Sequence, residues 1–273
     1  MTMPAKRSRS IASQASAGRL LSCDGLVKSY GDGPPALGGV SFVMEAPQFT
    51  VLLGSSGSGK TTLLRAIAGL VPLDQGEIHV TGVALTRANL KTVRRRLGMV
   101  HQEFGLTDRL TAAQNVLAGA APDLSWSRLL FQAYPTPLRQ RACSLLAEVG
   151  LTEIQANRKA RELSGGQRQR VGIARALIGQ PQLFLADEPV ANLDPQTASG
   201  ILALLREAVT VHGVGVLCSL HQTDLACQYA DRIIGLQGGR LVFDGPPADL
   251  SPAATAALFA GAGAAAVPTS TAA

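Results

Sequence analysis

Three features of the sequence predict an α/β domain built on a mainly parallel sheet. Short apolar runs alternate with helix-forming stretches, a glycine-rich turn sits between one such run and a helix, and a second apolar run ends in two carboxylates. With 46% hydrophobic residues among 273, the chain has enough apolar material for a core, which excludes disorder throughout. No run of eighteen or more apolar residues occurs, so no segment reads as a membrane-spanning helix.

Taken in order, residues 1–20 are basic and rich in Ser and Ala, without the apolar stretch of a secretory leader. They are expected to form a disordered tail. Residues 21–51 are strand-like and rich in turns, as for short antiparallel strands that feed a central strand at 50–53. A glycine-rich turn and a helix at 60–69 follow. From about 106 to 163 the chain changes to helix formers rich in Leu, Ala and Arg, broken by Pro135 and Pro137, and this reads as an inserted helical subdomain. Alternation then resumes with a helix at 165–178, a strand at 183–186, a helix at 195–211, a strand at 215–220 and a helix at 222–230. A hairpin at 232–243 turns at Gly238 and Gly239. The folded unit is therefore set at 21–250, and the Ala-rich stretch 251–273 is expected to fray.

The formal charge of +6 is spread in short groups, such as Lys91, Arg94, Arg95, Arg96 and Arg158, Lys159, Arg161, which read as solvated helix faces rather than a nucleic-acid surface. Cys23, Cys143, Cys218 and Cys227 lack C-x-x-C spacing and His partners at metal-site distances, so they are expected to be reduced thiols.

The chemistry concentrates in GSSGSGKTT, residues 54–62, which satisfies G-x-x-x-x-G-K-S/T between a strand and a helix. Gly54, Gly57 and Gly59 let successive backbone N–H groups curl around a polyphosphate, with Ser55, Ser56, Ser58 and Thr62 adding backbone donors at a helix start. Lys60 is expected on the β- and γ-phosphates and Thr61 on Mg²⁺, the arrangement of a P-loop NTPase. Such a fold needs an acid at a strand end near the loop, and LFLADEP supplies Asp187 for the metal and Glu188 for an attacking water. Taken alone, the acid pair would also serve as a cap for the next helix.

The helical stretch ends in LSGGQRQR, residues 163–170. Ser164, Gly165, Gly166 and Gln167 open a helix upstream of the acidic strand, which resembles the signature of the ATP-binding-cassette ATPases. Other residues are similar in order: Tyr30 resembles the aromatic that stacks on adenine. Gln102 resembles the glutamine that touches Mg²⁺ and water, Asp194 the acid that crosses a dimer interface, and His221 the histidine that contacts the γ-phosphate and steadies the catalytic Glu. Ala46, Pro47 and Gln48 depart from the Gly-Glu turn usual before the central strand, which puts only that turn in doubt.

The resemblance implies a homodimer of ATPase subunits that closes on two MgATP molecules. Lys60, Thr61, Gln102, Asp187, Glu188 and His221 of one copy would face Ser164 to Gly166 of the other. It also implies transmembrane permease subunits, a periplasmic or extracytoplasmic substrate-binding protein, and peripheral association with the cytoplasmic face of the inner membrane through the permease. The stretch 216–250, DEPVANLDP, NVLAG at 115–119, and Trp126 with Leu129 and Leu130 look like the importers of phosphonates. Phosphite or a related oxyanion stays open as cargo, since no residue here is expected to touch it. A cassette of a soluble machine acting on nucleic acid or the ribosome usually carries two cassettes or a long coiled coil, neither of which is present. A regulator without turnover would sit oddly with Lys60, Asp187, Glu188 and His221 all in place.

Overall fold

The computed structural model describes residues 18–100, 105–125, 128 and 133–259. Gln102, Trp126, Leu129 and Leu130 lie outside the described residues, as do most of the N-terminal tail and the last fourteen positions.

The centre is a six-stranded sheet whose members come from distant parts of the chain: β3 (Phe49–Leu53), β6 (Leu97–Val100), β7 (Leu183–Asp187), β8 (Gly215–Leu220), β9 (Arg232–Gln237) and β10 (Arg240–Gly245). Their order is β10-β9-β3-β8-β7-β6, and every pairing is parallel except that of the hairpin β9–β10. All residues of β3, β7 and β8 are buried. This is why these strands read as continuous apolar runs: a parallel sheet covered on both faces has no solvated side.

The period of two divides the core. Phe49, Val51 and Leu53 enter one apolar cluster with Val216 and Phe184, whereas Leu52 of the same strand enters the other with Leu185 and Leu217. The second cluster also lies under a four-stranded antiparallel sheet of order β2-β1-β4-β5, made by β1 (Leu21–Lys28), β2 (Leu37–Met44), β4 (Gln75–Val80) and β5 (Val83–Ala84). The two sheets are tied where Gly38 N–H donates to Gly239 O at 2.8 Å.

Helices α1 (Lys60–Ile67) and α2 (Leu90–Arg95) lie in the first half, followed by α3 (Ala112–Ala118), α4 (Thr136–Glu148) and α5 (Glu153–Ala156). Thr111 and Thr152 start α3 and α5 with reciprocal caps to Gln114 and Gln155. Then come α6 (Gly165–Leu177), α7 (Pro195–Thr210), α8 (Thr223–Tyr229) and α9 (Pro252–Phe259). Helix α9 corrects the expectation that the chain frays after Ser251. Leu258 is buried to 1% exposure and closes over Gly235 of β9, so burial overrides an alanine-rich sequence that carries no amphipathic pattern. None of the helices among the described residues is long and apolar enough to cross a membrane.

Candidate functional site

Strand β3 ends at Leu53 and the chain turns through Gly54 to Gly59 into α1. The turn is tight enough to exclude a side chain at its last position. Gly59 has a φ of 106°, and a β-carbon there would lie 2.4 Å from Ala36 O. The same contact sets the β1–β2 loop, which carries Tyr30, alongside the phosphate loop. Ser56 and Gly57 are exposed at the crest, and Ser55 and Ser58 are buried. Ser58 Oγ has no hydrogen-bond partner although it is buried.

Lys60 is buried, and its ammonium donates to the loop's own carbonyls, Gly54 O at 2.8 Å and Ser55 O at 2.9 Å. Burial lowers its pKa from the usual lysine value, against the opposing pull of Glu188 and then Asp187. A cation held at this cost beside two carboxylates and a loop of N–H donors suits a polyphosphate.

Strand β8 separates β3 from β7, so the acids reach the loop only across an intervening strand. The gap is closed by hydroxyls. Thr61 Oγ1 donates to Asp187 Oδ1 at 3.1 Å, and Ser219 Oγ donates to the same oxygen at 2.9 Å. Glu188 N–H donates to Ser219 Oγ at 2.9 Å. Glu188 has a φ of 48°, a left-handed turn that takes its side chain out of the strand direction. Its Oε1 meets His221 Nε2 at 2.5 Å, which joins the ends of β7 and β8.

Phosphate loop, acid pair and histidine thus form one continuous group of contacts. Thr61 and Asp187 contribute hard oxygen donors in that group, the donor type that Mg²⁺ takes. Ser219 is a participant that the sequence reading passed over. Its signal was a hydroxyl near the end of an otherwise apolar, fully buried strand, two positions before His221.

Other expected residues lie apart from this group. Tyr30 is 57% exposed, and Lys28 Nζ, held by Asp74 at 2.8 Å, stands 5.5 Å from its ring centroid. Ser164 caps α6 reciprocally: its Oγ accepts from Gln167 N–H at 3.3 Å and its own N–H donates to Gln167 Oε1 at 3.0 Å. Helix α6 packs against β6 at the sheet edge through Ala176 near its C-terminal end, whereas its first turn lies against the start of α7, where Gly166 meets Thr197. The Ser164 tip is thus seated on the start of α7. Asp194 caps α7 by accepting from Thr197 N–H at 3.0 Å, and the hydrogen bonds from Thr197 hold its carboxyl below the usual carboxylate range.

Comparison with known proteins identifies the family. The family model described as ABC transporter matches residues 37–191. A phosphonates import ATP-binding protein PhnC of Hyphomonas neptunium is 57% identical over 222 residues, 81% of this chain and 85% of that protein. Its namesake in Hydrogenovibrio crunogenus is 44% identical over 231 residues, 85% of each chain. Among solved structures, the dimeric bacterial ABC transporter cassette MJ0796 superposes with a TM-score of 0.72 at 33% identity, covering 83% of this chain and 98% of that one. CbiO1 of Clostridium perfringens, part of the transporter complex cbiONQ, gives 0.73 at 27% identity, covering 85% and 90%. With more than half of its length matched by the family model, and with relatives this similar along most of it, the chain belongs to the ABC transporter family of ATP-binding proteins.

Proposed function

We propose that this chain is the ATP-hydrolysing subunit of a phosphonate importer. The observation that carries hydrolysis is the hydrogen-bonded series Thr61, Asp187, Ser219, Glu188 and His221, which brings a phosphate loop, a metal-type donor pair and a base to one place. The reading of the cargo rests on the 57% identity to a phosphonates import ATP-binding protein.

Each residue then has a task. Lys60 leaves the carbonyls of Gly54 and Ser55 for the β- and γ-phosphates, and backbone N–H groups from Gly54 to Thr62 take the remaining oxygens. Thr61 and Asp187 would hold Mg²⁺, with Gln102 as a further ligand, and the bound ion would supply positive charge against the phosphates. Glu188 orients or deprotonates the attacking water, and His221 keeps that carboxylate in place beside the γ-phosphate. Tyr30 stacks on the adenine, its exposed ring leaving a face for the base. Catalysis is mainly positioning and charge stabilisation.

As the family resemblance implies, the partner copy supplies Ser164, Gly165, Gly166 and Gln167 to each nucleotide, with Asp194 beside the interface. The dimer sits peripherally on permease subunits at the cytoplasmic face of the inner membrane, and an extracytoplasmic binding protein delivers the cargo. Residues 21–250 act as the nucleotide-binding domain, with the helical subdomain at about 106–163.

Phosphate release from MgATP by the purified chain tests the first part. Lys60→Ala is expected to abolish binding of a fluorescent ATP analogue, and undiminished affinity in that variant would overturn the assignment. Membrane co-purification of a permease, with uptake of a labelled phosphonate that depends on this chain, tests the second. Uptake of phosphite alone would reassign the cargo.

A further inference from the structure

Ser219 is completely buried at the end of β8, where neighbouring positions are apolar, and a buried hydroxyl costs free energy unless its bonds are made. Here a single oxygen serves two masters of the chemistry. Its proton goes to Asp187 Oδ1 at 2.9 Å, and its lone pair accepts the Glu188 N–H at 2.9 Å.

The two hydroxyls on Asp187 Oδ1 differ in what else they can do. Thr61 follows the phosphate loop and is only half-buried, so its oxygen is available to a cation. Ser219 lies behind the carboxylate and is committed to protein groups on both sides. It therefore keeps the carboxylate oriented whatever Thr61 binds. The second bond acts on a strained residue: Glu188 is one of four non-glycine residues with positive φ among the described residues, at 48°, and such a conformation persists only where its surroundings hold it. Ser219 grips the N–H of that residue, and Ala191 N–H grips its carbonyl at 3.1 Å.

We propose that Ser219 is a positioning residue for hydrolysis, whose hydroxyl orients Asp187 towards the divalent cation and fixes the turn that aims Glu188. This rests on the ATPase reading above. The measurement is the affinity of a fluorescent ATP analogue with Mg²⁺ and with EDTA, alongside steady-state hydrolysis, for the wild type, Ser219→Ala and Ser219→Thr.

In the wild type Mg²⁺ tightens binding. In Ser219→Ala that tightening is expected to shrink by about tenfold, as for a lost hydrogen bond to a charged group, while the affinity in EDTA is unchanged. The kcat is expected to fall by about tenfold or more with a smaller change in KM at saturating Mg²⁺, and Ser219→Thr is expected to restore both. An Ala variant with the full Mg²⁺ effect and normal kcat overturns the proposal. So does an equal loss of affinity in EDTA and Mg²⁺, the behaviour of a general packing defect. If Ser219→Ala does not fold, Ser219→Thr against Ser219→Val, equal in shape but with and without the hydroxyl, gives the same decision. A wild type that binds no ATP at all fails the ATPase reading itself, a result separate from either of these.

Discussion

Gly166 meets Thr197 so closely that a β-carbon on the glycine would lie 2.4 Å from Thr197 Cγ2. The contact locks the start of α6 to the start of α7, where Thr197 N–H also donates to Asp194. The signature tip and the Asp194 cap are therefore one rigid edge. Gly166→Ala is expected to push the two helices apart and reduce ATP turnover by about tenfold or more while Lys60-dependent nucleotide binding persists. Adding Thr197→Ser, which removes the offending methyl, is expected to recover much of the loss. A double variant no better than Gly166→Ala in a phosphate-release assay would show that the clash is not the cause.

The short contact between His221 Nε2 and Glu188 Oε1 gives two variants with one ordering. Glu188→Gln removes the base and is expected to lower turnover by about 10² or more while ATP binding is kept. His221→Ala leaves the carboxylate but frees its orientation, so a smaller fall is expected. Near-normal phosphate release by pure Glu188→Gln protein would remove Glu188 from the chemistry.

Asp231 accepts from Phe49 N–H at 2.8 Å and from Arg206 at 2.6 Å, tying the first residue of β3 to α7. Burial raises its pKa, but the Arg206 hydrogen bond and then the Phe49 N–H outweigh it, so the carboxyl titrates below its usual value. A carboxyl depressed in the folded state adds stability above its unfolded pKa and loses it as pH falls through the folded one. Asp231→Asn is thus expected to cost about 1 kcal/mol at pH 7, a modest figure because the group is half-exposed, and to cost progressively less below about pH 4. Urea unfolding of both proteins across that range checks it, and a pH-independent difference contradicts it.

Leu258 lies against Gly235, with its Cδ2 2.6 Å from where a β-carbon would stand on the glycine. Leu258→Ala is expected to destabilise the protein by about 2–3 kcal/mol, whereas Ala256→Ser on the exposed side of the same helix should change little. Thermal or urea unfolding separates the two. Equal stabilities would mean that α9 is not part of the cooperative unit.

The sequence by itself determined the local chemistry of this protein. The loop 54–62, the acids at 187 and 188, the Ser164 cap and His221 after a buried strand are legible because each depends on neighbours a few residues away, through backbone curvature, strand periodicity or a reciprocal cap. Tertiary structure decided what no local window contains. It set β8 between β3 and β7, so that Ser219 became the hydroxyl that bridges both carboxylate residues. It also docked α9 on β9 and pressed Gly166 against Thr197. These contacts join residues dozens of positions apart, and only parallel strand order and packed helices bring them within reach.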